Sequence, residues 1–234
     1  MTRRISFWRR LLDLISPRIC TVCGQRLSVT EEVVCAKCYL HLPRTDFQHK
    51  PYENAVAHLF WGRIPIEKAT AFFYYEAHSE TANIIYELKY KDRPIIGEVM
   101  GRMAAKELLP SGFFDGIDGI VPVPLTFWRQ WGRGYNQSME IARGIREITG
   151  LPIYDKAVRR YVFKGSQTRR GRWERNESVE GAFELRDGNV VSGKHLLLID
   201  DVVTTGATII ACAKALTEAS GVRVSVFALG FAKS

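Results

Sequence analysis

With 234 residues, 46% of them hydrophobic and 25% charged, the chain has ordinary globular composition and can bury roughly 70–75% of its unfolded surface in one sizeable core with a small appendage. A formal net charge of +8 suits polyanionic partners without naming one. No apolar run approaches the ~18 residues of a membrane span, so disorder and integral membrane insertion fall away as classes.

In chain order, residues 1–17 open with basic residues ahead of apolar ones, but Arg9, Arg10 and Asp13 interrupt the apolar stretch. An export signal is therefore not expected. The segment predicts a short amphipathic helix with Ile5, Trp8, Leu12 and Ile15 on one side, packed on its own protein or on a partner or membrane surface.

Two C-x-x-C pairs follow, Cys20 with Cys23 and Cys35 with Cys38, separated by GQRLSVTEEVV. Two tight turns that each present two sulfurs match a closed tetrahedral zinc site, structural because no position is left for water. Disulfides are the alternative, disfavoured in the reducing cytoplasm expected for a chain without an export signal. Residues 18–47 are read as this zinc module. Cys212 stands apart and reads as a small buried hydrophobe.

Residues 48–234 predict one α/β domain. TAFFYYE reads as a strand, residues 83–90 as a short helical or loop passage, and Ile96, Val99, Met100 and Met103 mark a helix. IDGIVPVP is a strand stopped by its prolines, and Asn136 to Gly150 is a helix with Ile141, Ile145 and Ile148 inward and a glycine at its end. A basic run then carries Arg159, Arg160, Lys164, Arg169, Arg170, Arg172 and Arg175 against the single acid Glu174; it suits either a solvated face or a polyanion contact.

The last unit is the most informative. Leu196 to Ile199 form a buried strand that ends at Asp200 and Asp201. Beyond a Thr-Gly turn, Ile209, Cys212, Ala213 and Leu216 fall at helical spacing, and VRVSVFALGFA supplies another strand. The turn of this βαβ unit lies at the carboxyl end of a strand, where open α/β sheets bind ligands. Backbone N–H groups of Thr204, Thr205, Gly206, Ala207 and Thr208 at a helix start favour a phosphate. Two adjacent carboxylates would repel that phosphate, so they face hydroxyl donors or a divalent cation. A ribose 5-phosphate supplies a phosphate at one end and vicinal hydroxyls nearby. Helix capping would account for only one of the two carboxylates.

At these residues LLLIDDVVTTGAT resembles the phosphoribosyl-pyrophosphate (PRPP) signature of type I phosphoribosyltransferases. The four-cysteine module, ELKYK (87–91), VPVPL (121–125), RGYNQ (133–137), Gln167, Arg172, Asn176 and GAF (181–183) together resemble the ComF family of bacterial competence and DNA-uptake proteins, which are amidophosphoribosyltransferase-like. The resemblance covers nearly everything after about Arg18. It implies a type I phosphoribosyltransferase-like fold with a mainly parallel central sheet, preceded by the zinc module.

The same resemblance implies a site. Asp200 and Asp201 would hold ribose hydroxyls at the catalytic centre, and Thr204, Thr205, Gly206, Ala207 and Thr208 would cradle the 5-phosphate. The turn from Leu125 to Trp128 would be the pyrophosphate loop, with Arg129, Arg133 and Lys89 as phosphate ligands. Gln167, Arg172 and Asn176 would belong to a flexible loop, and magnesium would accompany PRPP. Nothing identifies an acceptor base or amine, and no N-terminal glutaminase cysteine precedes Cys20. Two functions stay open: a DNA-uptake accessory in the cytoplasm, with single-stranded DNA and a competence helicase as partners, and an active phosphoribosyltransferase on an unidentified acceptor. FWRQWGRGYNQ, with aromatic faces between arginines, serves either base stacking or packing of the pyrophosphate loop.

Overall fold

The computed structural model describes residues 17–161 and 183–232. The leading helix, apart from Pro17, and Gln167, Arg172 and Asn176 lie outside the described residues. Helices α1 (Ala36–Leu40) and α2 (Ala55–His58) precede strand β1 (Ala69–Tyr75), helices α3 (Ala82–Tyr90) and α4 (Ile95–Leu108) and strand β2 (Gly119–Pro122). Next come α5 (Phe127–Arg133), α6 (Gln137–Thr149), the short strands β3 (Val158–Arg160) and β4 (Phe183–Leu185), and α7 (Gly188–Val191). Strand β5 (His195–Val203), helix α8 (Ala207–Leu216) and strand β6 (Arg223–Ala232) close the order.

The central sheet has the order β1-β6-β5-β2 with every neighbouring pair parallel, while β3 and β4 form a separate antiparallel pair. The fold is thus α/β with a parallel central sheet, and its layers explain the continuous apolar runs. Leu197, Ile199, Phe227 and Leu229 pack on one face with Leu88, Met100, Ile141 and Ile145. Leu196, Leu198, Val226 and Ala228 pack on the other with Ile209, Cys212 and Leu216. A strand covered on both faces is apolar at successive positions, and Cys212 is the buried small residue that its position on the apolar stripe predicts.

One boundary moves. The apolar run predicts a strand ending at Asp200 and Asp201, but β5 continues to Val203 because β6 runs on beside it, with Asp200, Val202 and Val203 opposite Ala228, Gly230 and Phe231. Both carboxylates are therefore fixed on a strand and not on a loop tip.

Beside that strand end, α6 is locked against α4 at backbone distance. A Cβ on Gly144 would stand 2.0 Å from the Glu98 carbonyl oxygen, and one on Gly101 would stand 2.3 Å from that of Ile141. Residues 18–47 join the same body: Val22, Leu27, Val33, Val34 and Leu42 belong to the hydrophobic cluster that contains Met100 and Leu108. Arg44 bridges antiparallel to Phe73 of β1 and pairs with Glu107 of α4 at 2.7 Å, while Arg102 joins Glu32 to Glu147.

Candidate functional site

The carboxyl end of β5 brings the two carboxylates to helices α3 and α6. Asp200 Oδ1 accepts the Asp201 backbone N–H at 2.9 Å and the Ser138 hydroxyl, from the first turn of α6, at 3.3 Å. Asp201 is ion-paired with Lys89 Nζ of α3 at 2.9 Å. Burial first, and then the adjacent Asp201 charge, push the Asp200 carboxyl up to about 7; the Asp201 N–H, Lys89 and Ser138 oppose the rise.

A raised carboxyl has a definite consequence for stability. Below its unfolded value, near the ordinary 3.8, Asp200 is protonated in both states and its contribution is fully present. As pH rises the unfolded chain ionises first, so stability falls until the folded group itself ionises at about 7. Asp200→Asn removes this titration, so the variant should gain in melting temperature relative to wild type between pH 4.5 and 8. Parallel pH profiles would contradict it.

The loop after β5 lines a cavity of about 50 Å³ together with Asp200. Gly206 has φ of +74°, and a Cβ there would stand 2.9 Å from a Phe60 ring carbon, so the turn requires glycine. Arg63 donates to the carbonyls of Thr205 at 3.1 Å and Leu59 at 3.2 Å, which holds the loop from outside. Helix α8 starts at Ala207 with no side-chain cap, and the first N–H groups of a helix have no partner within it. Thr204, Thr205, Gly206, Ala207 and Thr208 line this cavity next to Asp200, where backbone N–H groups at a helix start could hold an anion.

A larger cavity, about 580 Å³, opens beside Lys89 and is lined by Tyr90, Trp128, Arg129 and Arg133. Three cations from two separate segments converge here, and Lys89 connects this cavity to Asp201. The RGYNQ stretch supports it from below. Arg133 donates to Gln137 Oε1 at 2.8 Å, Tyr135 O–H donates to the Leu88 carbonyl at 2.5 Å, and Asn136 caps α6 while donating to the Val123 carbonyl at 3.0 Å.

Two residues here carry no sequence signal of their own. Ser138 stands one position beyond RGYNQ, and Arg160 is hidden among the basic residues. On β3, Arg160 stacks over the Phe183 ring at 5.0 Å, and its buried Nε has no partner among the described residues. Burial lowers its pKa, Arg129 lowers it further, and Asp200 works the other way. Arg160 therefore adds positive charge to the carboxylate side of the site.

The metal-ligating atoms of Cys20, Cys23, Cys35 and Cys38 all lie within 4.8 Å of one another, with Cys23 and Cys35 sulfurs 3.8 Å apart. Tetrahedral thiolates at the usual Zn–S length sit about 3.8 Å apart, so the cluster fits such an ion. Backbone N–H groups of Cys35 and Cys38 point at the sulfurs of Cys20 and Cys35, at 3.3 and 3.5 Å. Burial would raise Cys20, yet backbone hydrogen bonds from Cys23, Cys35 and Val22 bring it down to about 7. Burial and the thiols of Cys23 and Cys35 push Cys38 up, so a cation is what allows all four to be thiolates together.

No family model matches the chain. The DNA utilization protein YhgH of Escherichia coli (strain K12) is 30% identical over 219 residues, covering 90% of this chain and 89% of that protein. Competence protein ComFC of Bacillus subtilis (strain 168) is 33% identical over 213 residues, covering 90% of this chain and 76% of its own. Among solved structures, the glutamine PRPP amidotransferase from B. subtilis aligns at 22% identity over 60% of this chain and 30% of that one, with a TM-score of 0.39. A likeness that loose carries no argument about ligands.

Proposed function

The chain belongs to the ComF family of competence and DNA-utilization proteins, and from that premise we propose that it binds PRPP with magnesium at the end of β5 and acts in DNA uptake in the cytoplasm. The observation that carries the reading is the Lys89–Asp201 ion pair, which joins the hydroxyl-binding carboxylates to a cavity containing Lys89, Arg129 and Arg133.

In this reading the cradle from Thr204 to Thr208 takes the 5-phosphate, Asp200 and Asp201 accept from the ribose hydroxyls, and Lys89, Arg129 and Arg133 face the diphosphate. Gln167, Arg172 and Asn176 belong to the loop assigned to close over it. Magnesium, when bound with the ligand, neutralises diphosphate oxygens and needs no all-protein cage. Zinc is the ion assigned to the four cysteines, with a structural role. No helix among the described residues is long and apolar enough to cross a membrane.

A second reading, transfer of the phosphoribosyl group to an acceptor, is favoured by Asp200. A carboxyl held at about 7 can hold or release a proton at neutral pH.

Equilibrium dialysis with labelled PRPP tests the ligand. Retention should require magnesium and should exceed that of ribose 5-phosphate. No retention at millimolar PRPP with magnesium present would refute the reading. Pyrophosphate release on adding candidate bases or amines would establish transfer.

A further inference from the structure

Helix α5 has no buried residue, and its three large aromatics, Phe127, Trp128 and Trp131, are 71%, 68% and 76% exposed. On α3, Tyr86 and Tyr90 are also exposed and stand 5.3 Å apart, tilted by 47°. Cations accompany both tyrosines: Lys91 lies over Tyr86 at 5.8 Å and Arg133 over Tyr90 at 5.6 Å. Folded proteins rarely leave large apolar surfaces of this kind without a use. Tyr90 and Trp128 line the same cavity as Lys89, Arg129 and Arg133, so the stacking faces and the candidate diphosphate ligands form one surface.

That pattern selects its occupant. Flat aromatic faces interleaved with cations match a single-stranded nucleic acid, whose bases stack and whose phosphates are spaced along the backbone. A duplex hides its base faces, and an acidic peptide would use the cations while leaving the rings without flat partners.

We infer that single-stranded nucleic acid and the diphosphate end of the PRPP-type ligand compete for Lys89, Arg129 and Arg133, so that loading the ligand releases the strand. This rests on the ligand reading above and adds a regulation to it. Each cation carries a single positive charge, so a diphosphate with magnesium in the cavity takes up the cations that the strand's phosphates would use and leaves the strand only the outer rings. Ribose 5-phosphate has no diphosphate; it occupies the Thr204–Thr208 cradle and leaves the shared cations free.

Fluorescence anisotropy of a labelled oligothymidylate on the full chain tests this, with ionic strength held constant. Magnesium PRPP at ten times its own dissociation constant should raise the apparent Kd of the strand about elevenfold, by simple mass action. Inorganic pyrophosphate with magnesium should act alike, and ribose 5-phosphate at equal saturation should leave the strand bound. Trp131→Ala, outside the cavity, should weaken the strand roughly tenfold with PRPP affinity unchanged. Strand and PRPP bound together without a shift overturn the inference. No oligothymidylate binding overturns it while leaving the ligand reading intact, and no PRPP binding overturns both. Polyglutamate binding as tightly as the oligonucleotide, with the same dependence on Trp131, would also overturn it in favour of an acidic protein partner.

Discussion

Cys35→Ser is expected to abolish metal binding and to lower the melting temperature by about 6–12 °C. Cys35 supplies one of four clustered sulfurs, caps α1 by accepting the Cys38 N–H, and donates its own N–H to Cys20. One change therefore removes a ligand and loosens the turn that orients the others. Structural zinc sites contribute about 10–16 kcal/mol in isolated finger peptides. Here much of the module stays packed, because Val22, Val33, Val34 and Leu42 share a cluster with α4. A net loss of about 3 kcal/mol, the upper end of ordinary single-substitution effects, is therefore expected, and in a chain of this size each kcal/mol moves the melting temperature by about 2–4 °C. Elemental analysis and calorimetric scans of both forms check this. Wild-type protein without zinc, or a variant with unchanged zinc content and melting temperature, would contradict it.

The parts of this protein that are legible in its sequence are those specified over short range. Leu196 to Ile199 announce a doubly covered strand because both faces demand apolar side chains. The cysteine pairs announce a four-sulfur cluster that could hold a metal ion, because ligand spacing is set by a tight turn. Helix α5 is the opposite case: with no buried face it has no apolar period to read, and FWRQWGRGYNQ reads equally as base stacking or as packing of the pyrophosphate loop. Lys89 and Asp201 meet only through the packing of α3 beside β5, and Arg160 feels the charge of Asp200 from a strand whose partner β4 is distant in sequence. Those meetings are tertiary facts. The extension of β5 to Val203 is likewise decided by its neighbour β6, not by local preference.

Asp201→Asn is expected to weaken magnesium PRPP binding by ten to a hundredfold with the fold intact. The substitution keeps shape and a hydrogen-bonding group but removes the charge that faces Lys89, and a charge-assisted hydrogen bond is worth about 1.5–3 kcal/mol. Because Asp201 is largely buried, water substitutes poorly for what is lost. The freed Lys89 remains in the cavity with Arg129 and Arg133, so the proposed diphosphate contacts persist and the loss reports on the carboxylate assigned to the ribose hydroxyls.

Calorimetric titration of magnesium PRPP into wild type and Asp201→Asn, side by side, is the direct measurement. Wild type should bind saturably at or below millimolar ligand, and the variant should bind ten- to hundredfold more weakly while remaining folded. Equal affinity in the two proteins, or no binding by wild type at millimolar PRPP, would contradict it.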